Sequence, residues 1–173
     1  MMSIAHQKRS STQTPPLADV RRTFAACPTG LALIAAEVDG HDEAMLANSF
    51  TSVSLDPPLD SMAFPHTSTT WPQLRQAQEL GITILGEPHA ALVPQLRRSG
   101  PDRLDGIALD RATAQARTLP RGAATLIVRP YRHIPAGDHE LVLFEVVDHR
   151  RDDEAAPLTY HDRHVGALHH ERL

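Results

Sequence analysis

The chain has a single cysteine, Cys27, so no internal disulfide framework can form. That composition fits a reducing cytoplasm, which is the expected compartment. Long apolar runs are missing: no stretch approaches the ~20 residues that a helical membrane span requires. Charge of one sign is missing too. With 17 basic and 21 acidic residues the net charge is −4, which gives no electrostatic reason to expect nucleic acid or an anionic membrane as partner. Residues 1–16 (MMSIAHQKRSSTQTPP) lack an apolar core followed by a cleavage site, so no signal peptide is read there. They are expected to form a polar arm, disordered or ordered only by a partner chain, ahead of one domain over residues 17–173. Aromatic residues are scarce, at 4%.

Proline and histidine, by contrast, are plentiful, at 14 and 11. So many prolines favour short elements joined by turns over a helical bundle. Leu17, Val20 and Phe24 recur at helical spacing, which predicts a short helix over residues 17–26. An apolar run over 31–38 closes at Asp39-Gly40, a hairpin signal, and 44–50 is the return strand. Ser49, Thr51, Ser52 and Ser54 interrupt strict alternation and predict a bulge or loop. Asp56-Pro57-Pro58 cannot continue a central ladder, and 59–64 is the third strand. Thr70-Trp71-Pro72-Gln73 reads as a helix start, with a cap, an early proline and a capping-box glutamine, the helix running to residue 80. A strand over 82–85, a helix over 88–99, a loop-like stretch over 100–120 and long strands over 123–131 and 140–147 follow. Hairpin-linked strands with few helices predict a mainly β fold: an antiparallel barrel with accessory helices.

The informative stretch is 47–71. Asn48 and four hydroxyls crowd into seven residues beside apolar strands, where they can hydrogen-bond the edge of a flat polar heterocycle. Ser68, Thr69 and Thr70 then sit at a predicted helix start, where free N–H groups and the helix dipole favour an anion such as phosphate. Together the two clusters fit a mononucleotide. Each also has a plain structural use, since serines and threonines fill loops and cap helices.

The block at 48–59 (NSFTSVSLDPPL), followed by Ser68-Thr69-Thr70-Trp71, resembles the short-chain flavin reductase family, the reductase components of two-component flavin-dependent monooxygenases. Further likenesses follow in order: 24–30 (FAACPTG), 81–85, 102–107 (DRLDGI), Gly137-Asp138-His139, and the tail over 157–168. The resemblance implies a homodimeric FMN-binding split β-barrel of Greek-key type. It implies FMN, with FAD as a possible substitute, and NADH or NADPH as the hydride donor. Reduced flavin would diffuse to a partner monooxygenase. By match to the family pattern, Asn48, Ser49, Phe50, Thr51, Ser52 and Ser54 would line the flavin, Ser68 and Thr70 would meet its phosphate, and His139 would stand near the nicotinamide. A cofactor that carries the chemistry needs binding and orientation from the protein, which accounts for the lack of a visible acid–base pair or nucleophile triad.

Several positions depart from the pattern. Asp60 and Ser61 interrupt an apolar strand, Thr67 stands where a basic or polar residue is usual, Phe144 replaces a small residue, Thr83 replaces an Asn and Val165 an aromatic. Arg75, Arg97 and Arg98 are the alternative cations for the phosphate. The departures at Asp60, Thr67 and Phe144 motivate a second reading, a repurposed split-barrel enzyme acting directly on an organic substrate in a biosynthetic pathway; a third, of a different class, is a non-catalytic flavin-binding protein. His161, His164, His169 and His170 lie close together, but without a cysteine or a helical frame they are read as solvated or interface residues rather than a metal site. Trp71 is read as a packing residue, and Cys27 as a small buried filler.

Overall fold

The computed structural model describes residues 15–168; residues 1–14 of the arm expected over 1–16, and the histidines at 169 and 170, lie outside the described residues. In chain order the elements are α1 (Leu17–Phe24), β1 (Thr29–Gly30), β2 (Ala32–Val38), β3 (His41–Ala47), β4 (Thr51–Leu55), β5 (Pro58–Pro65), α2 (Trp71–Leu74) and β6 (Leu80–Ile84). A 3₁₀ turn (Glu87–Leu92) runs into α3 (Val93–Leu96), and a second 3₁₀ turn spans Pro101–Leu104. Then come β7 (Asp110–Arg111), β8 (Arg117–Thr118), β9 (Ala124–Ala136), β10 (His139–Arg151), β11 (Leu158–His161) and β12 (His164–Ala167). The main sheet is antiparallel with strand order β3-β2-β6-β9-β10-β5-β4, and β1, β11 and β12 form a small second sheet.

The chain turns from β2 into β3 at Asp39 and Gly40, both with positive φ (51° and 81°), which a two-residue hairpin demands. β2 is buried on both faces. Ala32, Ile34, Ala36 and Val38 enter the barrel interior with Met62, Phe64, Ile82, Val128, Val142 and Phe144, while Leu33 and Ala35 join a second core with Leu85, Val93, Leu96 and Leu158. This explains the unbroken apolar run in the sequence. Register shifts beside Leu143/Phe144 and Val146/Asp148 bend the long β9–β10 pair; Pro130, which has no N–H to donate, sits at the first of them.

Several expectations change. The helix expected from Thr70 to residue 80 stops at Leu74, because Leu80 and Gly81 pair in β6 with Val128 and Ile127. A side chain at Gly81 would collide with the Arg117 carbonyl of β8, so the glycine serves a close strand crossing. The helix over 88–99 resolves into a 3₁₀ turn and the single turn of α3. The return strand starts earlier, at His41, and β9 and β10 run 13 residues each. The expected bulge is present, as a register shift between Ser52 and Ser54. Cys27 is exposed rather than buried. Trp71 does pack: it stacks on Phe64 with ring centroids 3.8 Å apart, and its Nε1 donates to Glu140 at 2.8 Å.

Candidate functional site

β3 ends the main sheet, so among the described residues the edge facing away from β2 carries no neighbouring strand. Three cavities follow one another along that edge, with residues 93–104 as the opposite wall. The first, about 220 Å³, lies by Leu46, Ala47 and Asn48 and is closed by Val93, Arg97 and Tyr160. The second, about 250 Å³, lies by Met45 and is lined by residues 67–70, Ser99 and Arg103. The third, about 490 Å³, lies by residues 41–44 and shares Thr69, Thr70 and Arg103 with the second.

Arg103 is the electrostatic centre of this groove. Its side chain reaches inward from the second 3₁₀ turn, and the residue is only 9% exposed. Nε donates to the Arg98 carbonyl at 2.6 Å, and Nη1 donates to Thr70 Oγ1 at 3.1 Å and to the Ala44 carbonyl. Among the described residues no carboxylate lies within ion-pair distance and Nη2 has no hydrogen-bond partner. Burial lowers the Arg103 pKa, and the charge of Glu43 opposes that shift. A guanidinium stays protonated regardless, so it leaves a buried positive charge without a counter-ion, an arrangement that an anion in the groove would relieve.

The expected site residues divide into groups. Asn48 lines the first cavity. Ser49 Oγ accepts from Ala63 N at 3.0 Å and donates to Ala63 O at 3.2 Å, so it ties the loop after β3 to β5. Phe50 packs on the barrel core. Thr51, Ser52 and Ser54 lie on β4 and line none of the three cavities; Ser54 Oγ accepts from Asp56 N at 3.2 Å. Ser68 and Thr70 do meet, with Thr67 and Thr69, around Arg103. Ser68 Oγ caps α2 by accepting from Trp71 N at 3.0 Å. Of the suggested cations Arg97 borders the first cavity, 5.7 Å above the Tyr160 ring, while Arg75 points to Glu140 at 3.9 Å. Arg103 itself was not among those suggestions. Its signal was the 102–107 motif, visible in the sequence but without a position in space.

His139 starts β10 opposite Pro65, the residue of β5 that borders the second cavity. Its Nδ1 lies 2.7 Å from Asp138 Oδ1. The Asp138 carboxyl is held below its ordinary range, first by this hydrogen bond and then by the charges of His139 and His66. An ionised carboxylate at that distance fixes a proton on Nδ1 and leaves Nε2 for a ligand.

The two departures of greatest concern turn inward. Phe144 is fully buried, edge-on to Phe64 and Trp71 at 6.3 and 6.2 Å, so it fills the barrel rather than the space beside His139. Asp60 is 2% exposed, directly across from Phe144, and among the described residues neither carboxylate oxygen has a hydrogen-bond partner. Burial raises its pKa to about 7. Thr83 is also buried, its Oγ1 accepting from Leu119 N at 2.9 Å. Among the described residues no group of three or more His, Cys, Asp or Glu is placed to hold a metal ion, and no helix is long and apolar enough to cross a membrane.

Known proteins match over most of the chain. It is 30% identical to the actinorhodin polyketide dimerase of Streptomyces coelicolor, over 86% of this chain and 85% of that one. It is 33% identical to an NADH:FMN oxidoreductase of Rhodococcus erythropolis, over 83% and 78%. The reductase component of 4-hydroxyphenylacetate 3-monooxygenase from Thermus thermophilus matches at 27% identity, over 83% and 91%. Among solved structures, the NADH:FAD oxidoreductase of Streptomyces globisporus C-1027 superposes with a TM-score of 0.82 at 22% identity, over 88% of this chain and 92% of that one; it shares the split-barrel fold. The family model for the flavin reductase like domain matches residues 24–169, and with the barrel and the NSFTSVSLDPPL block in place the chain belongs to that family.

Proposed function

We propose that this protein is an NAD(P)H:flavin oxidoreductase that supplies reduced flavin to a partner monooxygenase. The observation that carries the reading is the buried, uncompensated Arg103 guanidinium beside Ser68, Thr69 and Thr70, in a groove that begins at Asn48. Asn48 and the polar backbone around it hold the edge of the flavin ring in the first cavity. The hydroxyls of residues 67–70 and Arg103 hold its phosphate in the second, where a charge-assisted bond is strongest. When bound, the flavin supplies the redox chemistry, accepting hydride from NADH or NADPH. His139, oriented by Asp138, positions the nicotinamide through Nε2. The protein works as a cytoplasmic homodimer: β4 pairs with β5 and forms the last strand of the main sheet among the described residues, exposing Val53 and Leu55, a surface that a second copy would cover and that would bring Thr51, Ser52 and Ser54 into the site.

The test is spectroscopic. Purified protein is titrated with FMN, then mixed anaerobically with NADH or NADPH. Flavin binding followed by catalytic loss of its visible absorbance is expected, and failure to bind flavin refutes the reading. His139→Ala should slow turnover by about 2–13-fold, the worth of a single hydrogen bond to a ligand at roughly 0.5–1.5 kcal/mol, and should slow it more than it weakens flavin affinity. A second reading, direct action on an organic substrate, draws support from the relative named as a polyketide dimerase. It predicts flavin binding with no bleaching by a nicotinamide alone. The inward turn of Asp60 and Phe144 takes two of its three motivating departures away from the groove, and leaves Thr67, which lines the second cavity.

A further inference from the structure

α2 is a single turn, too short to hold its own shape in water, so its place is set by what its side chains touch. Two of them are buried, Trp71 and Leu74. Trp71 is the one that adjoins the hydroxyl cluster. Its backbone N–H donates to Ser68 Oγ at 3.0 Å, and Thr70 precedes it in the chain, so a shift of the indole moves both hydroxyls. The ring lies flat on Phe64, at an interplanar angle of 3°, with Phe144 edge-on. Flat stacking buries a ring but leaves it free to turn in its own plane. A directional bond stops that turn. Among the described residues Glu140 Oε2 is the acceptor of Trp71 Nε1, at 2.8 Å.

We propose that Glu140 is a positioning residue for phosphate binding: through the Trp71 indole it fixes the start of α2, and with it the hydroxyls of Ser68 and Thr70 beside Arg103. This proposal rests on the flavin reading above. Glu140 is itself firmly held. It pairs across the sheet with Phe64, the residue under the indole. His133 Nδ1 lies 3.3 Å and Arg75 Nη1 3.9 Å from the same Oε2. Burial pushes the Glu140 carboxyl up, but the bonds from Trp71 and His133 outweigh it and hold the group below its ordinary range, so the acceptor stays ionised. Glu140 also directly follows His139 on β10, and successive side chains of a strand point to opposite faces. One strand start therefore serves both ends of the proposed site, the nicotinamide through His139 and the phosphate through Glu140.

The experiment compares FMN with riboflavin, which lacks the phosphate, by fluorescence titration of the full chain freed of flavin. A role confined to stability would not separate the two ligands. Glu140→Leu, which removes the acceptor, should weaken FMN binding about 3–10-fold, the range of one hydrogen bond, and leave riboflavin within about two-fold. Glu140→Gln, whose amide oxygen still accepts from Nε1, should bind FMN as the parent does. Trp71→Phe keeps a flat ring on Phe64 but loses the donor, and should reproduce the loss seen in Glu140→Leu. The double variant should lose no more than either single one, because both remove the same bond. If Glu140→Leu fails to fold, Trp71→Phe decides alone. An FMN-to-riboflavin affinity ratio unchanged in either single variant, or losses that add in the double one, overturns the proposal and leaves the oxidoreductase reading standing. Failure of the parent to bind either flavin overturns both.

Discussion

Consider replacing Asp60 with asparagine, nearly equal in volume and without charge at any pH. In the folded protein the Asp60 carboxyl sits inside the barrel, 2% exposed, with neither oxygen hydrogen-bonded among the described residues, and burial moves its pKa from 3.8 to about 7. At about 1.4 kcal/mol per pH unit, ionising this group costs the folded state about 4 kcal/mol. The sign follows from proton binding. Between pH 4 and 7 the folded chain retains a proton that the unfolded chain has released, so stability falls as pH rises. The penalty is absent below pH 4, amounts to about 1.5–2 kcal/mol at pH 5, and is complete near 4 kcal/mol above pH 7. Urea unfolding of both proteins at pH 5 and pH 8 reads it directly. The gap between Asp60→Asn and the parent should widen by about 2.5 kcal/mol between those two pH values. Taking the difference removes the slopes that other groups add. Parallel pH dependences would show that Asp60 is solvated or paired, and would refute the description of its surroundings.

Arg103→Gln should weaken FMN binding by about 10–100-fold, the worth of a hydrogen bond to a charged group. It should leave riboflavin, which has no phosphate, almost unaffected; equal losses for both ligands would place Arg103 outside the phosphate site. Gly81→Ala should destabilise by about 1–3 kcal/mol, seen as a lowered Tm, because the added methyl meets the Arg117 carbonyl and neither strand has room to yield. His89 is buried, its Nδ1 accepting from Gly86 N at 3.1 Å and its Nε2 donating to the Pro120 carbonyl at 2.8 Å; burial is the main cause of a pKa below its ordinary 6.5. The unfolded chain therefore takes up a proton first, so this contribution is full above pH 6.5 and is lost as pH falls below it. Urea unfolding at pH 5 and 7 should show this acid slope in the parent and not in His89→Gln.

Much of this was legible in the sequence, for reasons that differ from residue to residue. The β2–β3 hairpin could be read because Asp39-Gly40 supplies positive φ locally, whatever the rest of the chain does. The helix predicted through residue 80 failed because Leu74, Ala77 and Leu80 all reach the barrel core, so their spacing imitates a helical face while Leu80 pairs with Val128. Cys27 was expected inside by residue type alone, and it is exposed. Ser68 and Thr70, which the structure brings together in the second cavity, were legible as neighbouring hydroxyls at a helix start. Arg103 was not, since it reaches them from 33 positions downstream of Thr70, across a turn whose path depends on tertiary packing.

Strand parity decides which departures from the family pattern reach the site. On β5, Asp60, Met62 and Phe64 share the inner face, and across the register Val142 and Phe144 of β10 do the same. Ser61, Ala63 and Pro65 take the opposite face, with His139, Leu141 and Leu143 as their partners. Pro65 borders the second cavity, so the proposed ligand groove adjoins this outer set. Substitutions at 60 and 144 therefore act through the core, where a buried charge or a lost ring costs a few kcal/mol, and leave the groove chemistry alone. Substitutions at 63 and 65 should behave in the opposite way. Ala63→Leu would change flavin affinity with little loss of stability, whereas Phe144→Ala would lower stability by about 3–5 kcal/mol with flavin affinity preserved in the molecules that remain folded. If Phe144→Ala instead altered flavin affinity while its stability held, the assignment of inner and outer faces to binding and packing would be wrong.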